Sequence, residues 1–428
     1  MLDIKLIREN PSHVKEKLRL RNEDGSVIDT ILECDAKRLA VIRKAETLKE
    51  LRNKVSDEIG IMKKNRQIEV LRSDEKIAEM KKVSEEIKSL DEDLRGVESE
   101  IENLLSFVPA LPADGIPEGK TADGNVEIKS WGEKKTFDFK VKDHVELSGT
   151  LDILDFERGT KISGSGFALY KGKGAQLERA LINFMLDTHI TKGYTEVMTP
   201  VLVSRASMAA AEKVPKFEED MYYIKEDDLF AIPTAEVPII NIHRDEILKA
   251  GELPLKYCGF TNCFRREAGS YGKDTKGFLR VHQFNKVELV NFCTPETSYA
   301  EMDKMLLDAC AILEKLGIYY RVIELCTGDI GFSASKCYDI EVWSYAEDKW
   351  LEASSVSNCT DFQSRRAKIR YKKTAENGKP KTELVHILNG SGLATSRLMV
   401  AMLEANQTKE GNIIVPEVLR KYTGFDLI

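Results

Sequence analysis

The feature that most constrains the fold of this chain is a long apolar seam within its first 107 residues. Its first part repeats every seven positions and consists of Val41, Leu48, Val55 and Met62, with Ala45 and Ile59 between them. Its second part is spaced mostly by alternating threes and fours and consists of Ile77, Met80, Ile87, Leu90, Leu94, Val97, Ile101 and Leu104. Such seams let two helices pack together while charged residues cover the other faces. The pattern predicts an antiparallel two-helix coiled-coil arm over about 27–107, which turns near 63–66 and projects from the body.

Prolines mark the end of the seam. Pro109, Pro112 and Pro117, with several glycines nearby, indicate a linker. We therefore expect an N-terminal domain over 1–110, which contains the helical hairpin, and a second domain over 111–428.

The second domain shows short alternating segments and few strand–helix–strand units. Candidate strands lie at 194–199, 254–264, 278–292, 319–325, 337–345, 351–356 and 384–388. Candidate helices lie at 174–192 and 296–316, and Asn377-Gly378 is typical of a hairpin turn. This order favours an α+β fold, with a largely antiparallel sheet flanked by helices, over a doubly wound fold.

Composition excludes several classes of protein. The chain has no run of eighteen apolar residues, so no membrane span is expected, and its eight cysteines form no C-x-x-C pair. The six histidines lack metal-ligand spacing, so we expect no zinc, and reduced thiols favour a cytoplasmic protein. Neither glycine-rich phosphate-binding signature is present. The net charge of -7 argues against a general nucleic-acid coat, although a local basic stripe can still bind phosphates.

Four segments of the second domain place charged residues on predicted strands or at a helix start, where solvent-facing charge is not the default. They are 233–236, 264–288, 351–358 and 388–397. The residue pattern alone leaves structural roles open for these residues. It fits equally well a structural ion pair of Arg265 with Glu288. It also fits Phe284 as an aromatic side chain of the core and Arg397 as a charged side chain on the surface.

These segments resemble the class II aminoacyl-tRNA synthetases, in the form used by seryl-tRNA synthetases. FRREAGSYGKDTKGFLRVHQFNKVE at 264–288 is similar to motif 2, NGSGLATSR at 389–397 to motif 3, and GYTEVMTP at 193–200, with the helix before it, to motif 1. TAE at 234–236 and EASSVSNCTDFQ at 352–363 are similar to further blocks of that family. Together with the arm, the resemblance covers nearly the whole chain.

The resemblance implies a ligase that activates serine with ATP, releases pyrophosphate, and transfers serine to the 3′ end of tRNA(Ser) and also of tRNA(Sec). Its expected context is protein biosynthesis. Two alternatives remain at this point. One is a synthetase-like ligase that loads an amino acid onto a carrier protein, and the other is an inactive synthetase-derived coiled-coil scaffold.

The resemblance also implies site residues. It assigns serine binding to Thr234, Ala235, Glu236, Arg265, Glu288, Asn389 and Ser391. It assigns ATP binding to Arg265, Arg266, Glu267, Arg280, Val281, Phe284, Glu352, Ala353, Ser354, Ser355 and Arg397. Arg265, Glu352 and Arg397 are the implied catalytic residues, and Glu352 and Ser355 are the implied ligands of Mg²⁺ bound with ATP. Since adjacent strand residues point to opposite faces, only one of Arg265 and Arg266 can face the site, and the resemblance selects Arg265.

The implied partners are tRNA, serine and a second copy of the chain in a homodimer, with the arm gripping tRNA across two subunits. Basic side chains on the arm are candidate phosphate contacts, namely Arg38, Arg43, Lys44, Lys49, Arg52, Lys54, Lys81 and Lys82. Each of them taken alone is equally typical of a solvated coiled-coil charge. No role is assigned to Lys273 and Lys276.

Overall fold

A computed structural model describes residues 1–64, 70–268, 277–374 and 380–428. The predicted turn after Lys64, the middle of the segment 264–288 with Lys273 and Lys276, and the Asn377-Gly378 hairpin lie outside these ranges. The chain divides into two compact units. One contains Leu2–Arg19 and Glu23–Pro109, and the other contains Met1, Leu20–Asn22 and Ala110–Ile428.

The smaller unit is helical. Its helices are α1 (Ile4–Glu9), α2 (Pro11–Leu20), α3 (Val27–Lys64) and α4 (Val70–Ser106). The Asp3 side chain accepts a hydrogen bond from the Lys5 amide and thereby caps the start of α1. Pro11 occupies the first position of α2, where its missing amide hydrogen costs nothing.

The seam packs α3 against α4. Ala45 from α3 and Met80, Ile87 and Leu90 from α4 are buried in it. Ion pairs join the two helices: Lys44 and Lys49 of α3 pair with Glu86 (2.8 Å) and Asp91 (2.9 Å), whereas Glu58, later in α3, pairs with Lys76, earlier in α4 (2.8 Å). The two helices therefore run antiparallel, and the prediction of a two-helix coiled coil is confirmed.

In the part of the chain that the structure describes, the larger unit contains sixteen strands and nine α-helices. The strands are β1 (Val126–Trp131), β2 (Leu154–Asp155), β3 (Leu169–Tyr170), β4 (Thr195–Glu196), β5 (Leu202–Ser204), β6 (Tyr222–Ile224), β7 (Leu229–Ala231), β8 (Ile247–Lys249), β9 (Leu255–Phe264), β10 (Gln283–Cys293), β11 (Tyr320–Glu324), β12 (Lys336–Ser344), β13 (Lys349–Asn358), β14 (Arg370–Thr374), β15 (Pro380–Leu384) and β16 (His386–Ala394). The helices are α5 (His144–Thr150), α6 (Phe156–Ser163), α7 (Lys173–Thr191), α8 (Arg205–Ala210), α9 (Glu236–Asn241), α10 (Ser298–Leu316), α11 (Phe362–Ala367), α12 (Thr395–Ala405) and α13 (Glu417–Thr423).

An eight-stranded sheet organises this unit, with strand order β1-β11-β12-β13-β16-β10-β9-β4. Its neighbours pair antiparallel, except that β4 pairs parallel with β9. Helices α7, α10 and α12 pack their apolar faces on the sheet, where Leu181, Met305 and Leu398 join strand residues such as Leu289 in one core. The α+β prediction, a largely antiparallel sheet flanked by helices, is confirmed.

Of the predicted strand 194–199, only Thr195–Glu196 form a strand, β4. Two further predicted strand boundaries are wrong for identifiable reasons. The apolar residues of 278–282 resemble a strand, but β10 begins only at Gln283. The Phe278 amide instead donates to the His144 imidazole (3.2 Å), and the His282 amide donates to the Gly166 carbonyl (2.9 Å), so this backbone pairs outside the sheet. Likewise, 384–388 is not one strand. Val385 is the crossing point between β15, in a small three-stranded sheet with β14 and β8, and β16, in the large sheet.

Candidate active site

The centre of the large sheet opens into two adjoining cavities, of about 460 and 270 Å³. We call them the larger cavity and the smaller cavity. Six residues line both of them, namely Arg265, Glu267, Arg280, Lys286, Glu352 and Ser391. Molecules bound in the two cavities would therefore meet over a shared group of charged side chains.

Strand geometry positions the polar residues of the larger cavity. Alternate residues of a strand share a face, so Lys286 and Glu288 of β10 both point to the cavity, as do Asn389 and Ser391 of β16. The register pairs Glu288 directly with Ser391. The larger cavity is thus lined by side chains that the sheet holds at fixed separations.

Glu288 is the buried carboxylate of this cavity, with 2% of its surface exposed. Its Oε2 accepts a hydrogen bond from the Thr234 hydroxyl (2.7 Å), and it forms an ion pair with Lys286. Burial raises the pKa of Glu288, and the charge of Lys286 opposes that rise. The arrangement provides a carboxylate whose remaining oxygen can accept a hydrogen bond from a small ligand.

Glu236 forms a second anionic position, at the start of α9. Its Oε1 accepts hydrogen bonds from the side-chain amides of Gln363 (2.6 Å) and Asn389 (3.3 Å). Its Oε2 lies 3.3 Å from the Lys213 ammonium. This position can receive the ammonium of an amino acid.

The smaller cavity is lined by the aromatic ring of Phe284 and by arginines that include Arg265 and Arg397. Phe284 and Val281 line it together with Arg397 from the first turn of α12. The guanidinium carbon of Arg265 lies 5.1 Å from the centre of the Phe284 ring, within the range of a cation–π contact. Arg397 is held by the Glu352 backbone carbonyl (2.6 Å). A flat, phosphate-bearing ligand such as a nucleotide fits this combination.

Oxygen atoms suited to a hard cation lie where the two cavities meet. Glu352 lines both cavities, Ser355 lines the larger one, and Asp339 pairs with Ser355 across β12 and β13. Burial, followed by the charge of Glu352, raises the pKa of Asp339 to about 8. The two neighbouring carboxylates disfavour each other's charge, which a divalent cation would relieve, so these residues fit Mg²⁺.

The structure brings together nearly all of the site residues that the resemblance implied. The larger cavity is lined by Thr234, Glu236, Arg265, Glu267, Arg280, Glu288, Glu352, Ser355, Asn389 and Ser391. The smaller cavity adds Val281, Phe284, Ala353, Ser354 and Arg397. Their individual roles stay predictions.

Ala235 and Arg266 line neither cavity. Ala235 is fully buried immediately before α9. Arg265 and Arg266 follow the end of β9 rather than lie on it, and their amides donate to His282 and Asp220 respectively (2.9 Å each). Arg265 lines both cavities, and the preference for it over Arg266 stays a prediction. The strand alternation used to argue for that preference does not apply to two residues beyond the strand.

Sequence reasoning missed four charged or polar residues of the site, namely Lys213, Lys286, Asp339 and Gln363. Lys286 lies two positions before Glu288 on the same strand face, so the alternation could have revealed it. Lys213 and Gln363 meet Glu236 from segments distant in the sequence. No local pattern indicates such a contact.

In the described residues, no helix has both the length and the apolar character needed to cross a bilayer.

Two models of known protein families match this chain, one in each of its two parts. Residues 1–112 match the family model of the seryl-tRNA synthetase N-terminal domain. Residues 216–406 match the model of the tRNA synthetase class II core domain (G, H, P, S and T).

Full-length relatives are also similar. The serine–tRNA ligase of Chloroherpeton thalassium is 54% identical over all of both chains. The structure of seryl-tRNA synthetase from Pyrococcus horikoshii complexed with ATP is 39% identical, covers 100% of this chain and 99% of its own, and gives a TM-score of 0.91. The cytoplasmic serine–tRNA ligase of Naegleria fowleri in complex with AMP is 30% identical, covers 100% and 98%, and gives a TM-score of 0.86. The chain therefore belongs to the seryl-tRNA synthetases, the class II ligases that form seryl-tRNA.

Proposed function

We propose that the larger cavity binds serine, that the smaller cavity binds ATP, and that Arg265 joins the two substrates for adenylate formation. The observation that supports this most strongly is the position of Arg265. It lines both cavities, between Glu288 on the serine side and Phe284 on the nucleotide side. ATP as the nucleotide accords with the ATP complex of the Pyrococcus relative.

The first step needs positioning rather than a catalytic base. An α-carboxyl group has a pKa near ~3.5, so the serine carboxylate is already ionised at neutral pH. Its oxygen forms a bond to the α-phosphorus of ATP, while the bond to the bridging oxygen breaks and pyrophosphate leaves with the electron pair. The barrier arises from bringing two anions together and from charge on the phosphoryl oxygens.

The guanidinium of Arg265 suits this task because its planar fork can hold the carboxylate and the α-phosphate together. Arg280 would bind the γ-phosphate end, and Glu267 with the Val281 backbone would contact the adenine edge. Phe284 and Arg397 would lie on opposite faces of the adenine. Arg280 now donates to Glu267 (2.6 Å), so ATP binding would replace that contact with a phosphate.

Glu352 and Ser355 would hold Mg²⁺ together with the ATP phosphates, where the ion neutralises phosphate charge. Arg397 would help to position the Glu352 carboxylate. Arg397 lies 3.4 Å from Glu352 Oε2 and so limits the movement of that carboxylate.

Serine selectivity would rest on Glu288 and Ser391, with Thr234 and Glu236 on the ammonium side. Alanine lacks the hydroxyl, so a buried Glu288 would lose its hydrogen-bond donor. Sites built to bond a hydroxyl reject the analogue without it by about 10⁴–10⁵-fold. Threonine would have to be excluded by its extra methyl group, which is a weaker effect.

In the second step we propose that serine passes to the 3′ end of tRNA(Ser), and also of tRNA(Sec), with the arm contacting the RNA. A homodimer accords with three exposed apolar residues in and after the segment similar to motif 1, namely Met198, Val201 and Leu202. A cytoplasmic location stays a prediction. A carrier-protein ligase and an inactive scaffold are not favoured, because relatives along the full length are serine–tRNA ligases.

The experiment that tests this function is amino-acid-dependent exchange of pyrophosphate into ATP, measured with each standard amino acid, followed by charging of unfractionated tRNA. We expect exchange with serine and seryl-tRNA as the product. Equal exchange with alanine or glycine would contradict the assignment of serine, and exchange without charging would contradict tRNA as the acceptor.

A further inference from the structure

Glu212 has a backbone that its residue type does not favour. It follows α8 with φ +49°, in the left-handed region where glycine is the usual residue at a helix end. A non-glycine residue in this conformation is strained, and it persists only where the surrounding structure holds it. Its side chain is also buried, with 1% exposed. A charged residue kept at a strained and buried position points to a task for the carboxylate.

That carboxylate lies beside Glu236 and shares two partners with it. The Lys213 ammonium is 3.3 Å from Glu212 Oε1 and 3.3 Å from Glu236 Oε2. The Gln363 amide nitrogen donates to Glu212 Oε1 (3.0 Å) and to Glu236 Oε1 (2.6 Å). Within the described residues, Glu212 Oε2 has no hydrogen-bond partner. The Lys213 ammonium thus lies equally close to the two carboxylates.

The electrostatics of the cluster agree with this sharing. Burial works against a charge on Lys213, yet Glu236 and Glu212 outweigh it and raise the pKa of the lysine above its ordinary value. Burial and the same two carboxylates also raise the pKa of the neighbouring Cys359 thiol. Glu212 also acts on the N-terminal ammonium of Met1, where it opposes the lowering of the pKa by burial and by Arg366.

A fully paired Glu236 would be a poor acceptor for a substrate ammonium, because Lys213 would already neutralise it. A buried carboxylate with only part of a lysine charge, by contrast, strongly favours a further cation. Of these four residues, Lys213 and Glu236 line the larger cavity, while Glu212 and Gln363 do not.

We propose that Glu212 is a positioning residue for amino-acid recognition: because it shares Lys213 with Glu236, Glu236 keeps negative charge with which to bind the substrate ammonium. This inference rests on the proposed function and adds the residue that keeps the ammonium position open. Glu212 acts through Lys213 and Gln363 and does not touch the substrate.

The test compares the full-length wild type with Glu212→Gln in serine-dependent pyrophosphate exchange. In the variant, Lys213 pairs with Glu236 alone. We expect the KM for serine to rise about 30-fold or more, since breaking a buried charged contact has an effect of this order, with little change in the KM for ATP. Inhibition by 3-hydroxypropanoate, which is serine without its amino group, should keep its inhibition constant.

Two further variants separate this role from a structural one. Glu212→Gly relieves the backbone strain and should keep or raise the melting temperature, yet raise the serine KM as Glu212→Gln does. The double variant Glu212→Gln, Lys213→Met also removes the ammonium that would neutralise Glu236. It should return the serine KM to within about threefold of wild type. Glu301→Gln is the matched control, a buried glutamate paired with Lys256 and Lys304 away from both cavities, and should leave the serine KM unchanged.

The inference is overturned if Glu212→Gln changes the serine KM and the 3-hydroxypropanoate inhibition constant by the same factor, or changes neither. A double variant no better than Glu212→Gln would overturn it too. If the wild type shows no serine-dependent exchange, the proposed function fails instead, so the two failures are distinguishable.

Discussion

Glu288 occupies a buried place on β10, where an ionised carboxylate is costly unless a cation accompanies it. Lys286, two residues earlier, provides that cation from the same face of the strand. The pair keeps a charged hydrogen-bond acceptor in the cavity proposed to bind serine. The charge of Lys286 therefore determines whether Glu288 can recognise a hydroxyl.

Lys286→Met should make serine binding pH-dependent. Without the lysine, no cation on the same strand face opposes the effect of burial, so the pKa of Glu288 rises further and the carboxyl keeps its proton to higher pH than in the wild type. We expect the serine KM of the variant to fall as the pH is raised and the proton leaves, and to depend on pH more steeply than that of the wild type. Glu288→Gln, which cannot titrate, serves as the control. A serine KM of Lys286→Met that does not vary with pH would contradict this account.

Sequence reasoning identified some of the residues around the two cavities and missed others. Arg265, Phe284 and Arg397 could be selected because the resemblance supplied roles that the pattern alone left open. Glu212 could not, since its contact with Gln363, and the contact of Lys213 with Glu236, form only after α8, α9 and α11 come together. Its left-handed backbone is equally invisible in the sequence.

At the scale of elements, the arm shows two kinds of basic residue. Lys44 and Lys49 pair with Glu86 and Asp91 on the facing helix, so much of their charge is already neutralised. Lys81 and Lys82 are exposed on α4, and among the described side chains neither has an acidic partner within ion-pair distance. The second kind is better suited to contact phosphates.

Replacing both Lys81 and Lys82 by alanine should weaken tRNA binding in a salt-dependent way. The slope of log affinity against log salt should become shallower by about 1 per lost phosphate contact. Pyrophosphate exchange should not change, because the cavities keep all of their residues. As a control, removal of the pair Lys44 and Glu86 together should leave the slope nearly unchanged. An unchanged slope in the Lys81, Lys82 variant would show that these residues do not contact RNA.

Element boundaries show what periodicity can and cannot predict. The long helices were found nearly to the residue, for example α7 at Lys173–Thr191 against the predicted 174–192, because many turns repeat one apolar pattern. The start of β10 was not found, since Phe278 and Leu279 are buried like strand residues while their backbone lies outside the sheet. Apolar residues indicate burial, and burial alone does not determine pairing.

At the scale of the whole molecule, apolar side chains remain exposed in and after the segment 193–200. Met198 is 91% exposed and Leu202 is 44% exposed. Isolated exposed apolar residues are ordinary, but neighbouring ones indicate an interface. Together with the resemblance to motif 1, they support the proposed homodimer.

Introducing Met198→Asp together with Leu202→Asp should therefore convert a dimer into monomers at micromolar concentration, as measured by analytical ultracentrifugation. A buried and unpaired aspartate is unfavourable by several kcal/mol. In a symmetric dimer each substitution occurs in both subunits, so this unfavourable free energy arises twice. Ile162→Asp is the control, because Ile162 is 71% exposed on α6, outside the segment similar to motif 1. A variant that remains dimeric would place the interface elsewhere.

In the proposed reaction, one guanidinium, that of Arg265, brings serine and ATP together over the sheet. The most direct measurement is steady-state pyrophosphate exchange by Arg265→Ala and Arg265→Lys at saturating serine, ATP and Mg²⁺. We predict a loss of about 10²–10³-fold or more in kcat for Arg265→Ala, only partly recovered by Arg265→Lys, because an ammonium lacks the planar fork. Exchange by Arg265→Ala at a rate close to wild type, with the variant folded, would contradict the account.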